Sequence, residues 1–299
     1  MPNVEWLLLA LSPLFGLSVV VEYYFAKRLY QWRDSFMNAL LALSHQLVDA
    51  LSLLLLMPCF YWLSNFALFT IELTTWTLFL GFILQDFLYY WFHRASHHIH
   101  WFWTAHSVHH SSTLMNFTTA FRQSVLYPIT GMWLFWLPMI VIGFEPKLVL
   151  TIVAINLAFQ FFVHTQLVTS LGWLEKVLNT PTHHRLHHAS NDCYIDKNFA
   201  GVLIIWDKLF GTFVEPQQGV SIQYGIRGAL PTSSFWAINF AQFLFMVSLF
   251  KRAPTITQKI RVLFAYPIDL PPIQKPVEFS EFKPHSKGTN QYGDNSNDH

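Results

Sequence analysis

The feature that most constrains this chain is a series of apolar runs, each long enough to cross a bilayer. They occupy residues 5–25, 40–63, 68–92, 125–143 and 147–166. A spanning helix needs roughly 20 predominantly apolar residues. The last two runs are joined only by "FEP" (144–146), which predicts a tight helical hairpin, and Pro128 and Pro138 predict kinks in its first arm. A shorter run at 235–250 fits an interfacial or re-entrant segment better than a span. Charged residues make up 12% of the chain, against about 25% in a soluble domain. The chain therefore reads as an all-α integral membrane protein with about four to five transmembrane helices, the hairpin included. Its N-terminus lacks the basic stretch of a cleavable signal peptide, so the first run is expected to stay as a membrane helix.

Lysine and arginine placement sets the orientation. Lys27, Arg28 and Arg33 follow the first run and put that loop in the cytoplasm. Two further spans return the chain to the same side before His93, and the hairpin returns it again before Lys176 and Arg185. Residues 93–124 and 167–234 then form a cytoplasmic, histidine-rich helical cap on a membrane domain covering 1–252. From 253 to 299 the composition becomes polar and Pro-rich, and the segment reads as a largely disordered tail. The net charge of +1 argues against a nucleic-acid partner. Cys59 and Cys193 form no CxxC motif and imply no disulfide framework.

The chemistry lies in the histidines. His93 and His97 are four residues apart. His106, His109 and His110 are spaced i, i+3, i+4, and His184, His187 and His188 repeat that spacing. Helical residues three and four apart share one face, so each box aims its imidazoles at one point. Imidazole nitrogen suits zinc, copper, iron and nickel. A single HxxxH is more often a surface feature, but three boxes on one face of a membrane protein point to metal. Eight box histidines exceed the three or four ligands of one zinc-type site and suit two metals sharing a cavity. Zinc has no redox function, so oxygen chemistry would call for iron or copper; the boxes alone do not separate iron from zinc.

His164, at the end of the second hairpin arm, is a further candidate ligand, while His45 reads as structural. His98 and His183 flank the boxes, and Asp86 and Asp207 could orient ligands; these four are candidates for an extra ligand or for hydrogen bonds behind the ligands. Asp86 is an acid inside an apolar run, costly unless functional or paired, with Arg94 or a tyrosine as the alternative partner. Trp91, Trp101 and Trp103 are candidates for lining a lipid entrance, with an interfacial aromatic belt as the alternative.

"DFLYYWFHRASHH", "HSVHHSS", "NFTTAFRQS", "PTHHRLHHASN" and "NFAGVLIIWDKLFGTF" together resemble the sterol desaturase / fatty acid hydroxylase superfamily, in particular its alkylglycerol monooxygenase-like bacterial members. The resemblance covers about residues 80–215. It implies a membrane-embedded di-metal oxygenase with two iron ions (zinc being the alternative as isolated). It also implies that His93, His97, His106, His109, His110, His184, His187 and His188 hold the metals, and that "QFFVHT" brings His164 to the same site. One departure is His98, where such members carry Glu; it makes His98 a candidate extra ligand.

The expected reaction is hydroxylation or desaturation of a lipid C–H bond, with O2 and two electrons. The substrate would be a sterol, fatty-acyl or ether lipid. No GxGxxG fingerprint, CxxCH site or four-cysteine cluster is present. The electrons are therefore expected from a donor protein or a diffusible reductant. The location would be a bacterial inner membrane or the endoplasmic reticulum. Two rival readings are a zinc-dependent membrane hydrolase, which usually carries HExxH, and a metal transporter, whose histidines would sit at mid-membrane depth.

Overall fold

A computed structural model describes residues 4–229 and 232–267, with side chains from residue 10 onward. The described residues are helices and connecting loops, with isolated bridges at Leu178–Leu203 and Ala189–Tyr224 and no β-strand. Three long helices come first: α1 (Val4–Phe25), α2 (Trp32–Ser64) and α3 (Thr75–His98). At about 1.5 Å per residue, the 33 residues of α2 reach well beyond a hydrocarbon layer of about 30 Å. This is the one helix that is long and apolar enough to cross a membrane by composition among the described residues. Its outer face is unpartnered: Leu43, Leu47, Leu51, Leu54 and Leu55 are each exposed. A row of leucines facing outward in this way is what a lipid environment would cover.

α3 starts later than the apolar run at 68–92 suggests. Thr74 and Thr77 form a reciprocal capping box that starts the helix there. The preceding stretch is extended instead, with Leu68 and Phe69 donating to the carbonyls of Val141 and Ile142. The expected hairpin also differs in its first arm, which is broken into α5 (Tyr127–Thr130), a 3-10 turn (Met132–Trp136) and α6 (Leu137–Ile142). Pro128 and Pro138 sit in the first turns of α5 and α6, where a missing N–H is harmless. Between them Gly131 takes a left-handed φ of +86°, a conformation that stops helix propagation. The prolines therefore start two short helices instead of kinking one long one. The second arm is α7 (Pro146–Phe161), capped by the Glu145 carboxylate accepting from Leu148 N.

An aromatic-rich core, including Phe60, Tyr89, Phe92, Trp136 and Phe144, binds α2, α3, α6 and α7 together. The C-terminal ends of α1, α3 and α7 and the N-terminal end of α2 meet at one side of this core. Glu22 near the end of α1 shows it: its carboxylate accepts from Phe117 N at 2.7 Å, from the Tyr30 hydroxyl at 2.5 Å and from the Thr165 hydroxyl. On that side lie α4 (His100–His110), α8 (Pro181–His187) and α9 (Ile205–Leu209). α10 (Phe235–Arg252) packs chiefly along α4 and α11 (Ile256–Phe264). Helix α11 starts with a capping box at Thr255 and Gln258, so residues 256–264, placed by composition in the tail, are helical. The expected disorder of 268–299 lies outside the described residues.

Candidate metal centre

Nine buried histidines converge in two groups. His93, His97, His106, His110 and His187 form the first, and His109, His164, His184 and His188 the second. Within each, one ring nitrogen per residue lies within 4.8 Å of the others. These are the nine that spacing and resemblance singled out. His93 and His97 come from the end of α3, the middle three from α4, His164 from the turn after α7, and the last box from α8 and its cap.

The rings point the same way. In the first group, Nε2 atoms approach at 3.0 Å (His93–His106), 3.2 Å (His106–His110) and 3.1 Å (His110–His187). In the second they approach at 3.2 Å (His109–His164), 2.9 Å (His164–His184) and 3.1 Å (His184–His188). The outer nitrogens bind protein: His93 Nδ1 donates to Phe199 O, His187 Nδ1 to Lys197 O, His109 Nδ1 to Arg122 O and His164 Nδ1 to Gln160 O. A carbonyl only accepts, so those four rings carry hydrogen on Nδ1 and a bare lone pair on Nε2. His109 and His164 thus present two lone pairs to each other at 3.2 Å, an arrangement that repels unless a cation lies between. Two nitrogens at right angles on one ion, with bonds of about 2.1 Å, lie about 3.0 Å apart. The observed spacings match that edge. His97 Nε2 is buried in the first group without any hydrogen-bond partner. The donor set therefore fits two metal ions.

Protonation does not supply the cation. Burial, followed by the charges of neighbouring rings, pushes His106, His110, His184 and His188 well below the ordinary imidazole value of 6.5. These rings stay neutral at physiological pH, the state that ligates metal.

One loop orients most of the first group. Asp196 Oδ1 meets His97 Nδ1 at 3.0 Å, Lys197 O takes His187, and Phe199 O takes His93. Asp196 and Asn198 both adopt φ of +57°, a left-handed region that short polar residues tolerate best after glycine. Asp207 clamps the loop from behind, accepting from Phe199 N and Ala200 N at 2.8 Å each and from the Thr212 hydroxyl at 2.6 Å. Asp86 clamps its far end, accepting from Val202 N, Leu203 N, Trp206 Nε1 and Asn156 Nδ2. Asp86 therefore pairs with neither Arg94, a tyrosine nor a histidine. Gly201 allows this approach, since a Cβ there would come within 3.0 Å of Asp86 Oδ1 and within 2.8 Å of Tyr89.

The remaining candidates are placed elsewhere. His98 Nδ1 donates to Arg94 O, and its ring stacks on Tyr266. His183 faces Phe213 and lies 3.4 Å from the Thr180 hydroxyl. Neither joins a group. Trp101 donates to Thr130 O and Trp91 packs on Phe210, whereas Trp103 lies beside His97 and His110. Trp103 lines a cavity of about 420 Å³ that reaches His97, His110 and His187 and is walled by Ile195, Phe245 and Pro267. Sequence reasoning missed Tyr127, whose hydroxyl lies 2.8 Å from His106 Nδ1. It also missed Arg122, which is buried, binds Asp34 and Asn38 on α2 through its guanidinium, and offers its carbonyl to His109.

A fatty acid hydroxylase family model matches residues 78–212. The chain belongs to the fatty acid hydroxylase family. All nine histidines and both clamping aspartates lie inside that hydroxylase region. Alkylglycerol monooxygenase of Danio rerio is 40% identical over 194 residues, 65% of this chain and 43% of that protein. The human alkylglycerol monooxygenase is 40% identical over 204 residues, 68% of this chain and 45% of that protein. An ornithine lipid hydroxylase of Rhizobium tropici is 28% identical over 149 residues, 50% of this chain and 45% of that protein. The chain thus covers less than half the length of these relatives. No solved structure matches it.

Proposed function

We propose that this chain is a membrane-bound, non-haem di-iron oxygenase that hydroxylates, or desaturates, a lipid C–H bond with O2 and two electrons. The observation that carries this reading is the pairing of two all-imidazole groups with a cavity that ends on the first. The names of the relatives support it: each is a lipid-directed monooxygenase or hydroxylase by description. The lipid is a sterol, fatty-acyl or ether lipid. Electrons come from a donor protein or a diffusible reductant. The exposed leucines of α2 favour an integral membrane setting, and Lys27, Arg28 and Arg33, between the end of α1 and the start of α2, favour a cytoplasmic face for that end.

His93, His97, His106, His110 and His187 would hold one ion, and His109, His164, His184 and His188 the other. When bound, the two ions supply O2 activation and the oxidising power for the C–H bond. The protein's own part is geometric. On His93, His97, His106, His109, His164 and His187 the outer hydrogen bond at Nδ1 holds the Nε2 lone pair inward. Trp103, Ile195 and Phe245 give the cavity an apolar wall that accepts a hydrocarbon segment and holds it against the first group. Burial of all nine rings keeps bulk water from competing at the nitrogens. A hydrolase would instead need a free carboxylate base beside a metal-bound water. The one carboxylate lining this cavity, Asp196, has both oxygens engaged, by His97 and by Tyr266.

Metal analysis of the purified, lipid-reconstituted chain, combined with O2 uptake and mass spectrometry of the lipid, tests the reading. Two iron ions per chain and a lipid product carrying one added oxygen, or lacking two hydrogens, are expected. Zinc alone, with no O2 consumed under any reductant, would sink it.

A further inference from the structure

His98 and His100 remain unexplained by the metal reading, and so does α11 with the residues that follow it to Pro267. The three belong together. α11 docks on the corner where α3 turns into α4 at Ile99. The first N–H of α4, at His100, would otherwise lack an acceptor; it donates to Ala265 O at 3.0 Å. The His100 side chain donates through Nδ1 to Val262 O at 3.1 Å. The His98 ring stacks on Tyr266, with centroids 5.0 Å apart and planes 18° from parallel. The Tyr266 hydroxyl then hydrogen-bonds Asp196 Oδ2, while Asp196 Oδ1 holds His97.

We propose that Tyr266 is a positioning residue for the first histidine group: it fixes the Asp196 carboxylate so that Asp196 fixes His97. This rests on the reading that the group holds a metal. His97 is the group member that needs such a relay. His93 and His187 donate to main-chain carbonyls that the loop itself immobilises, whereas the outer partner of His97 is a carboxylate that can rotate. Asp196 also lines the cavity. Without the tyrosine hydroxyl its second oxygen faces that space, free to turn toward a bound ion or away from His97. The next residue, Pro267, is itself part of the cavity wall. A segment outside the hydroxylase match at 78–212 therefore both shapes the substrate cavity and aims a ligand at its end.

The test uses the full-length, metal-loaded chain in lipid nanodiscs, challenged with excess chelator while metal release is followed in time. Tyr266→Phe removes only the hydroxyl and keeps the ring on His98. One of the two ions should leave about 10-fold faster than in the wild type, the other unchanged, the lower end of what losing a hydrogen bond behind a metal ligand costs. Asp196→Asn should speed the same ion, and adding Tyr266→Phe to it should bring no further change. Two outcomes overturn the proposal: release of both ions at wild-type rates, or equal acceleration of both with a lowered unfolding temperature, the mark of a merely structural role. A wild-type chain holding no metal overturns the metal reading, and the proposal with it.

Discussion

The two histidine groups share one donor type yet differ in how they are framed. The first takes three of its outer hydrogen bonds from a single loop, Asp196 to Phe199, and its His97, His110 and His187 line the cavity. The second takes its outer bonds from Gln160 O, in the turn of α7 just before His164, and from Arg122 O, pinned to α2 by its side chain; none of its members lines that cavity. On the function proposed above, the group that lines the cavity would face substrate and the enclosed group would support it.

The largest expected effect tests that division directly. His187→Ala and His184→Ala each remove one imidazole, from the open and the enclosed group respectively. Each variant should bind one ion instead of two, and activity should fall by more than about 100-fold in both. Only His187→Ala should alter lipid binding in the cavity, because only His187 lines it. Metal counting and a lipid-binding titration on both variants check this. If either substitution empties both groups, they form one cluster and the comparison breaks.

Eight of the nine converging histidines were legible in the sequence because their order is local. Spacings of three and four residues fix which rings share a helix face before any tertiary contact is known. His164 needed a resemblance, since a lone histidine at a helix end carries no periodic signal. The frame around the rings was far less legible. Asp196 stands 99 residues from His97 and Tyr266 a further 70 from Asp196, and no local pattern pairs them. Asp86 was legible as an acid that had to be satisfied, but two of its four partners are backbone N–H groups at Val202 and Leu203, which any sequence would supply, and the other two, Asn156 and Trp206, lie 70 and 120 residues away. The broken arm at 127–142 was half legible: its prolines were visible, but helix starts and helix kinks read alike until Gly131 shows its left-handed turn.

A medium effect concerns acid, and it treats the two groups alike. His106, His110 and His187 in the first and His109, His184 and His188 in the second are all held below 6.5, by burial first and neighbouring charges next. In the metal-free chain the folded rings stay neutral while the unfolded ones protonate near 6.5. Below that pH the unfolded state binds more protons, so stability falls as pH falls; above it neither state titrates and stability is flat. Each ring contributes at most about 1.4 kcal/mol per pH unit across that window. Unfolding of chelator-stripped protein, followed from about pH 8 to about pH 5, should show the loss, and bound metal should suppress it. A flat profile would mean that the rings are not buried as neutral donors.

The smallest effect lies at the rim of the cavity, where the open group meets solvent. Arg227 lines the cavity and pairs with Asp192 at 3.1 Å, but their side chains are 54% and 76% exposed. An exposed pair of this kind contributes no more than about 0.5 kcal/mol, because water solvates both charges nearly as well when they are apart. Arg227→Ala should therefore leave metal content unchanged and move the unfolding temperature by no more than about 1 to 2 °C. Any change should appear in the apparent affinity for lipid, since the side chain stands where a polar headgroup would rest while its hydrocarbon reaches His97 and His187. A fall of several degrees, or loss of an ion, would place the rim inside the frame of the first group. The open group would then be held from both ends, by the loop at 196–199 and by the rim at 225–229, and its contrast with the enclosed group would shrink to the cavity alone.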